Sequence, residues 1–370
     1  MFRRYRLATL LNLFGLGIAV ATFYLFMTQV IYNRTYNHNI REYEQVYRLE
    51  INGSLFGDAW DCKMCRPFVT MLKDIPQVQD ATYISPYLNQ VEIKVGERTL
   101  TVPVFYMGKP GIEFFTGKLI SGSSETWGIG TGATAIASRS LAEKMFGTAN
   151  AAGRTFASEN NGETTIVTVV GVSEDMPDNC TLPNGLYICD KENGLTNWSE
   201  WSYDIYARLD HTTDTEKVLR ALKLGFMKSN GISEEQEEQF DKEVKMKFRL
   251  TPVDDIYFTG IGLKDKGNRN LVNVLTVASI FVLFIAMLNL LNFSLSEIPM
   301  RMRGINTRRV MGESIGSLRM KMIMENVLFA FVGLIIGLLL IVVFQRNEAC
   351  IKLVSGDIDL SLIHISQPTR

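Results

Sequence analysis

The sequence predicts an α+β extracytoplasmic domain inserted between transmembrane α-helices, in a multi-pass helical membrane protein. Three observations carry the prediction. Residues 7–32, 271–296 and 326–345 hold no Asp, Glu, Lys or Arg. Each stretch reaches the about 20 residues that a helix needs to cross a ~30 Å hydrocarbon core. Residues 33–270 mix β-rich runs with amphipathic helical patterns and are long enough to bury a core. The charges are also divided. Residues 33–270 carry 26 Lys/Arg against 33 Asp/Glu, whereas the short flanks of the apolar stretches are basic. The near-neutral balance of the whole chain, −1, excludes a basic nucleic-acid binder by default. The absence of repeats or biased tracts excludes collagen-like and low-complexity classes.

Residues 1–32 form an N-terminal flank and a first span. Arg3, Arg4 and Arg6 resemble the basic start of a signal peptide, which is the alternative reading. A signal core is only about 7–15 residues long. Here the apolar run continues through Phe23, Tyr24, Leu25, Phe26 and Met27 to Ile31, which favours a retained anchor. Within 33–270, residues 46–51, 91–95, 100–106, 164–172 and 203–209 are rich in Val, Ile, Thr and Tyr and predict strands. Residues 67–75, 139–146 and 214–228 predict helices. In the last, Val218, Leu219, Leu222 and Phe226 share a face, and Gly147 is a natural stop for the second. Residues 233–243, with Glu234, Glu235, Glu237 and Glu238, predict a solvated helix face rather than a metal site.

Four cysteines, Cys62, Cys65, Cys180 and Cys189, lie in this domain and are candidates for disulfides in an oxidising compartment. Four cysteines allow three pairings, and the short separation makes Cys180–Cys189 the first expectation. Cys62-Lys63-Met64-Cys65 also has the spacing of a thiol oxidoreductase, but no supporting βαβ unit is evident. Gly128-Ile129-Gly130-Thr131-Gly132-Ala133 satisfies a dinucleotide-type glycine pattern, yet a loop precedes it, so a flexible turn is expected. No Walker motif is present, and His38, His211 and His364 are too scattered for a catalytic constellation. No catalytic, cofactor-binding or metal-ligating set is expected.

In the membrane stretches, Gly333 and Gly337 form a small-x-x-x-small pair, as do Gly15 and Ala19, and Gly17 and Ala21. Small residues let helices approach where hydrophobicity supplies no drive. Asn289 and Asn292, one turn apart in 271–296, are candidates for interhelical amide bonds. Residues 297–325 hold Arg301, Arg303, Arg308, Arg309, Arg319 and Lys321 against three Glu. Pro299 is expected to interrupt the helix, and Ile315, Leu318 and Met322 to start an amphipathic return. The Lys/Arg asymmetry places the N-terminus and 297–325 in the cytoplasm, with 33–270 outside. The third span, 326–345, then leads to an external tail, 346–370. Contact of the basic loop with anionic lipid is the plain alternative to a protein partner.

These residues resemble the FtsX-like/MacB-type permeases of ABC transporters. Arg301, Arg303, Ile305, Arg308, Arg309, Val310, Gly312 and Ser314 match the family's loop after its second span. Gly304, Asn306 and Glu313 depart from it. Residues 140–147, 153–155 and 169–177 are similar to stretches of the MacB-type periplasmic core. The resemblance implies a non-enzymatic permease subunit in a bacterial cytoplasmic membrane. It implies a separate cytoplasmic ABC-type ATPase resting on 301–321, a permease dimer or second permease module, and an external domain that moves in efflux or mechanotransmission, with or without an external partner. The family's fourth span has no counterpart, and residues 361–370 lack membrane character, which predicts a truncated or foreign end. Two other readings compete: a membrane-anchored external sensor, which lacks a cytoplasmic output domain after the second span, and a tethered thiol oxidoreductase using Cys62.

Overall fold

The computed structural model describes residues 6–53, 59–85, 89–116, 119–129, 132–160, 163–190 and 195–346. The expectations for Arg3, Arg4, Gly130, Thr131 and the tail from 347 onward lie outside them. The chain divides into two units: Thr35–Gly267, and a helical unit of the residues before and after it.

Among its described residues, unit Thr35–Gly267 holds twelve strands. Strands β1 (Val46–Asn52), β3 (Val78–Ile84), β11 (Asp204–Leu209) and β12 (Lys247–Pro252) form an antiparallel sheet in the order β3-β11-β1-β12, with β2 (Trp60–Asp61) on the end of β1. Alternation sends Leu49, Ile51, Ile205, Ala207 and Leu209 to one face. There they meet α2 (Pro67–Lys73) and α5 (Thr215–Ser229) through Phe68, Leu72, Val218, Leu222 and Phe226. Helix α5 starts where Asp214 accepts a hydrogen bond from the Glu216 amide, an ordinary N-cap.

The second half is a closed barrel. Strand β10 (Leu186–Cys189) pairs in parallel with β5 (Arg98–Met107) and antiparallel with β7 (Ala133–Ser138). The ring continues through β9 (Glu163–Ser173), β8 (Thr155–Asn160) and β4 (Asn89–Val95) back to β5. Ile93, Val102, Val104, Ala135, Ala137, Val167, Val169 and Leu186 fill it, and α4 (Arg139–Phe146) covers one side with Leu141, Ala142 and Met145. The short β6 (Leu119–Gly122) pairs with β9, and α3 (Gly111–Thr116) packs beside β3. Strand β5 also touches β3 at Met107↔Ile84, so one strand joins barrel and sheet. Helix α6 (Glu237–Glu243) is the acidic helix expected near 233–243.

The face of the four-stranded sheet away from α2 and α5 carries a buried ion cluster. The Arg48 guanidinium, on β1, donates through Nε (3.1 Å) and Nη2 (2.7 Å) to Glu50 Oε1. The same Nη2 donates to Asp265 Oδ2 at 2.7 Å and to Thr259 Oγ1 at 3.1 Å. Arg249 Nε donates to the other oxygen of Glu50 at 2.6 Å. The side chains of Arg48, Glu50 and Asp265 are all about 1% exposed or less. Gly262 is required here, because a Cβ at that position would lie 2.8 Å from both Arg48 Nη1 and Asp265 Oδ2.

The helical unit contains α1 (Arg6–Arg34), α7 (Arg269–Val310) and α8 (Ile315–Arg346), each with a stretch long and apolar enough to cross a membrane. The external segment expected at 33–270 is thus flanked by helices ending at Arg34 and starting at Arg269. The expected break at Pro299 is corrected: α7 is helical through that position to Val310. A proline removes one ladder bond, at the carbonyl four residues earlier, and the Leu, Met, Glu and Arg around it are strong helix formers. Residues 297–325 are therefore two helix ends and a tight turn rather than a loop.

Removing the shared cation of the buried cluster should be costly. Arg48→Met leaves the buried Asp265 without a cation and Glu50 with Arg249 alone, and is expected to destabilise Thr35–Gly267 by about 3–5 kcal/mol. Lys94→Met, at the exposed Lys94–Glu159 pair, should leave the denaturation midpoint unchanged. Urea denaturation followed by tryptophan fluorescence distinguishes the two, and equal midpoints would contradict the role given to Arg48.

Candidate functional site: a helix hairpin with a basic turn

Helix α1 packs against both α7 and α8. On α7 the inward stripe is Val272, Leu275, Ser279 and Ala286, all buried, continued by the half-buried Asn289 and Phe293. This spacing of three and four keeps one face on its neighbour. Contact with α8 runs through small residues. A Cβ at Gly337 would lie 2.8 Å from Val20 Cγ1 and 3.0 Å from the Gly17 carbonyl oxygen. A Cβ at Gly333 would lie 2.5 Å from Leu16 Cδ2, and one at Gly17 would lie 2.6 Å from Ile336 Cγ2. Gly15 lies against the Asn289 amide, where an added Cβ would be 3.4 Å from Nδ2.

Of the other expected packing residues, Ala19 is half-buried and Asn292 is exposed on the outer side of α7. Periodicity explains the difference: two successive three-residue steps from the buried Ala286 rotate about 600°, roughly 120° short of two turns, which carries Asn292 off the inward stripe. Two further contacts carry no signature in the residue pattern. The Asn326 amide donates to Ser294 Oγ at 2.7 Å, and the Phe293 and Phe329 rings stack with centroids 4.5 Å apart, together tying α7 to α8.

The turn between these helices is tightly specified. Gly312 has φ +91°, the left-handed region that favours glycine. Its amide donates to the Arg309 carbonyl at 3.0 Å, and the Glu313 amide donates to the Arg308 carbonyl at 3.1 Å. These two bonds make a Schellman end for α7. Ser314 then caps α8: its hydroxyl accepts from the Ser317 amide at 3.2 Å, and Ser317 Oγ donates to Glu313 Oε1 at 3.0 Å. The capped turn leaves Arg308 and Arg309 exposed, with Val310 at 90% and Met311 at 84% exposure between them and the glycine. Ile305 is half-buried, and the backbones of Arg301 and Arg303 continue α7. On α8, Leu318 is buried and Met322 half-buried, but Ile315 is exposed, a correction to the expected face. The first residue of a helix overhangs its end and has no neighbouring turn to cover it.

The expected disulfides are corrected. No disulfide joins Cys62, Cys65, Cys180 or Cys189 in the structure. The C-x-x-C straddles the sheet: Cys65 lies in the core beneath α2, while Cys62 lies on the opposite face beside Asp204 and Arg48. Cys180 sits under Asn39, and Cys189, at the end of β10, lies against Gly128. Burial pushes the Cys62 and Cys65 thiols up to about 12. A thiol oxidoreductase needs the opposite shift. Among the described residues no group of His, Cys, Asp and Glu could hold a metal ion. In the glycine-rich stretch 128–133, Ala133 opens β7, and the residues described before it form a turn rather than a phosphate-binding helix start.

The FtsX family, described as FtsX-like permease C-terminal, matches residues 276–348. The matched region is similar to that family's sequences. It includes most of α7, the capped turn and α8. No curated protein matches the chain. Among solved structures, a domain of a protein named as a permease from Porphyromonas gingivalis is similar at 20% identity and TM-score 0.47, over 58% of this chain and 92% of that one. The periplasmic region of MacB from Actinobacillus actinomycetemcomitans is similar at 15% identity and TM-score 0.39, over 60% and 94%. The extracellular domain of the ABC-type transporter YknZ from Gram-positive bacteria is similar at 13% identity and TM-score 0.36, over 56% and 99%.

Two outcomes follow from this geometry. Gly337→Leu should destabilise the α1–α8 contact by about 1–3 kcal/mol through overpacking. Gly316→Leu, where nothing lies within 4 Å of an added Cβ, should be neutral. Helical circular dichroism during thermal denaturation in detergent compares them. Cys62 and Cys65 should resist maleimide at pH 7.5 in the folded chain and react fully once it is denatured, read by mass spectrometry. Rapid native labelling at either thiol would revive the redox reading.

Proposed function

We propose that this chain is the permease subunit of an ABC transporter of the FtsX/MacB class. The observation that carries the reading is the capped turn within the FtsX-like region. At about 1.5 Å per residue, the 42 residues of α7 span ~63 Å, roughly twice a hydrocarbon core. The surplus length projects from the membrane as continuous helix and ends in Arg308, Arg309, Val310 and Met311. A rigid, charged and apolar tip of this kind suits docking on a separate ATPase in the cytoplasm. Closure of that ATPase would push or draw α7 and α8 together. Through its chain connections to α1 and α7, the external domain is the moving part, in efflux or in mechanotransmission to an external partner. Two states with different contacts to the ATPase are the physical requirement. A dimer or a second permease module completes the assembly.

The charge asymmetry supports an inner-membrane topology with the N-terminus and the turn in the cytoplasm and Thr35–Gly267 outside. The chain itself needs no catalytic residue, since nucleotide chemistry belongs to the partner.

The test is a mild-detergent pull-down of the tagged full chain from its native membrane, with co-purifying proteins identified by mass. An ABC-type ATPase is expected with the parent chain. It should fall at least tenfold with Arg308→Glu plus Arg309→Glu, while the fluorescence of the external unit is unchanged. Undiminished capture by the double variant would remove the turn from the docking surface.

A further inference from the structure

The segment just before α7 has a construction that neither the docking turn nor the fold accounts for. Residues 260–267 read Gly-Ile-Gly-Leu-Lys-Asp-Lys-Gly. Their single acid, Asp265, is turned inward. It accepts from Arg48 Nη2 at 2.7 Å, from Thr259 Oγ1 at 2.8 Å and from the Gly262 amide at 2.7 Å. The base of the segment is fixed as well, because the Gly267 amide donates to the Tyr257 carbonyl at 2.8 Å. With the acid buried, the outward residues are Leu263, Lys264 and Lys266. Leu263 is 58% exposed, and both lysines are exposed. Lys264 also reaches the Cys180 carbonyl at 3.4 Å. The result is a local apolar and cationic tip on a segment, 33–270, that is acidic as a whole.

Chain connectivity fixes what lies nearby. Lys266 is three residues before Arg269, the first residue of α7, and three residues reach at most about 10 Å. The charge-free stretch of α7 begins at residue 271. We infer that Leu263, Lys264 and Lys266 form a bilayer-contacting tip, with Leu263 inserted at the acyl boundary and the two lysines on phospholipid headgroup phosphates. An amphipathic element of this kind binds by burying apolar area and by attraction to anionic headgroups. The tip commits the external domain to a resting contact with the outer leaflet, held in shape by the Arg48–Asp265 pair. This inference rests on α7 crossing the membrane, and the test separates the two.

The experiment uses the full chain in nanodiscs of phosphatidylethanolamine and phosphatidylglycerol, with acyl-brominated or unmodified lipids. Leu263→Trp and Val274→Trp are compared with the parent chain, whose own tryptophans supply the background. Val274, exposed on α7, reports the span itself. The expected result is bromine-dependent loss of at least half the added fluorescence at both positions. Lys264→Glu with Lys266→Glu should abolish the loss at position 263 and spare it at 274. Quenching at 274 with none at 263 overturns the tip while leaving the span intact. Quenching at 263 that survives the double charge reversal overturns the role of the lysines. No quenching at either position overturns both tip and span.

Discussion

The structure of the external unit depends on one buried guanidinium. Arg48 sits in the middle of β1 with almost no solvent contact, and a charge in that position is tolerated only when it is paired and fully hydrogen-bonded. Glu50 on the same strand supplies half of the pairing, and Asp265, more than two hundred residues later, supplies the rest. That second partner fastens the segment leading to α7 onto the central strand of the sheet. The segment following α1 is fastened at the same end of the unit. Asn37 donates to the Val253 carbonyl at 2.7 Å, and the Tyr36 ring stacks on Tyr257 at 4.2 Å. Both chain connections of this unit therefore end in a single hydrogen-bonded and aromatic collar.

Much of this fold was legible in the sequence where a strand or helix buries one face or both. β1, β4, β5, β9 and β11 all stand where Val, Ile, Thr and Tyr are dense, and α4 covers Arg139–Phe146 as its pattern predicts. Three of the missed strands have weaker signals. β7 reads Ala-Thr-Ala-Ile-Ala-Ser, because small residues fit against α4 and the barrel interior, and alanine is a poor marker of strands. β8 is half polar, and β12 lies at a sheet margin with Lys247 and Arg249 interleaved among its apolar residues. Barrel closure itself was beyond reach, since it depends on the short β10 finding partners on both sides.

In the candidate site, the basic residues and Gly312 were readable because a turn leaves a compositional mark. The ion cluster was not, because Arg48, Glu50 and Asp265 look individually like surface residues. The cysteines misled for a related reason. Separation along the chain says nothing about which side of a sheet each thiol occupies, and extended backbone at 62–65 delivers the two to opposite faces. Proline misled at position 299 because its cost is local: one ladder bond is lost, while the helix formers on either side keep the rest.

The barrel has a consequence for how the domain coexists with other chains. A sheet closed on itself offers no row of unpaired amides and carbonyls to a stranger. Among the described residues β12 forms one margin, β2 and β6 are very short, and β3, which meets β5 only at Ile84, leaves a second margin along Val78–Tyr83. β12 carries Lys247, Arg249 and Pro252. Cations resist burial in an intermolecular ladder, and a proline ends one. Closing six of the described strands into a ring thus reduces the margin open to cross-strand aggregation, even when many copies are held close together.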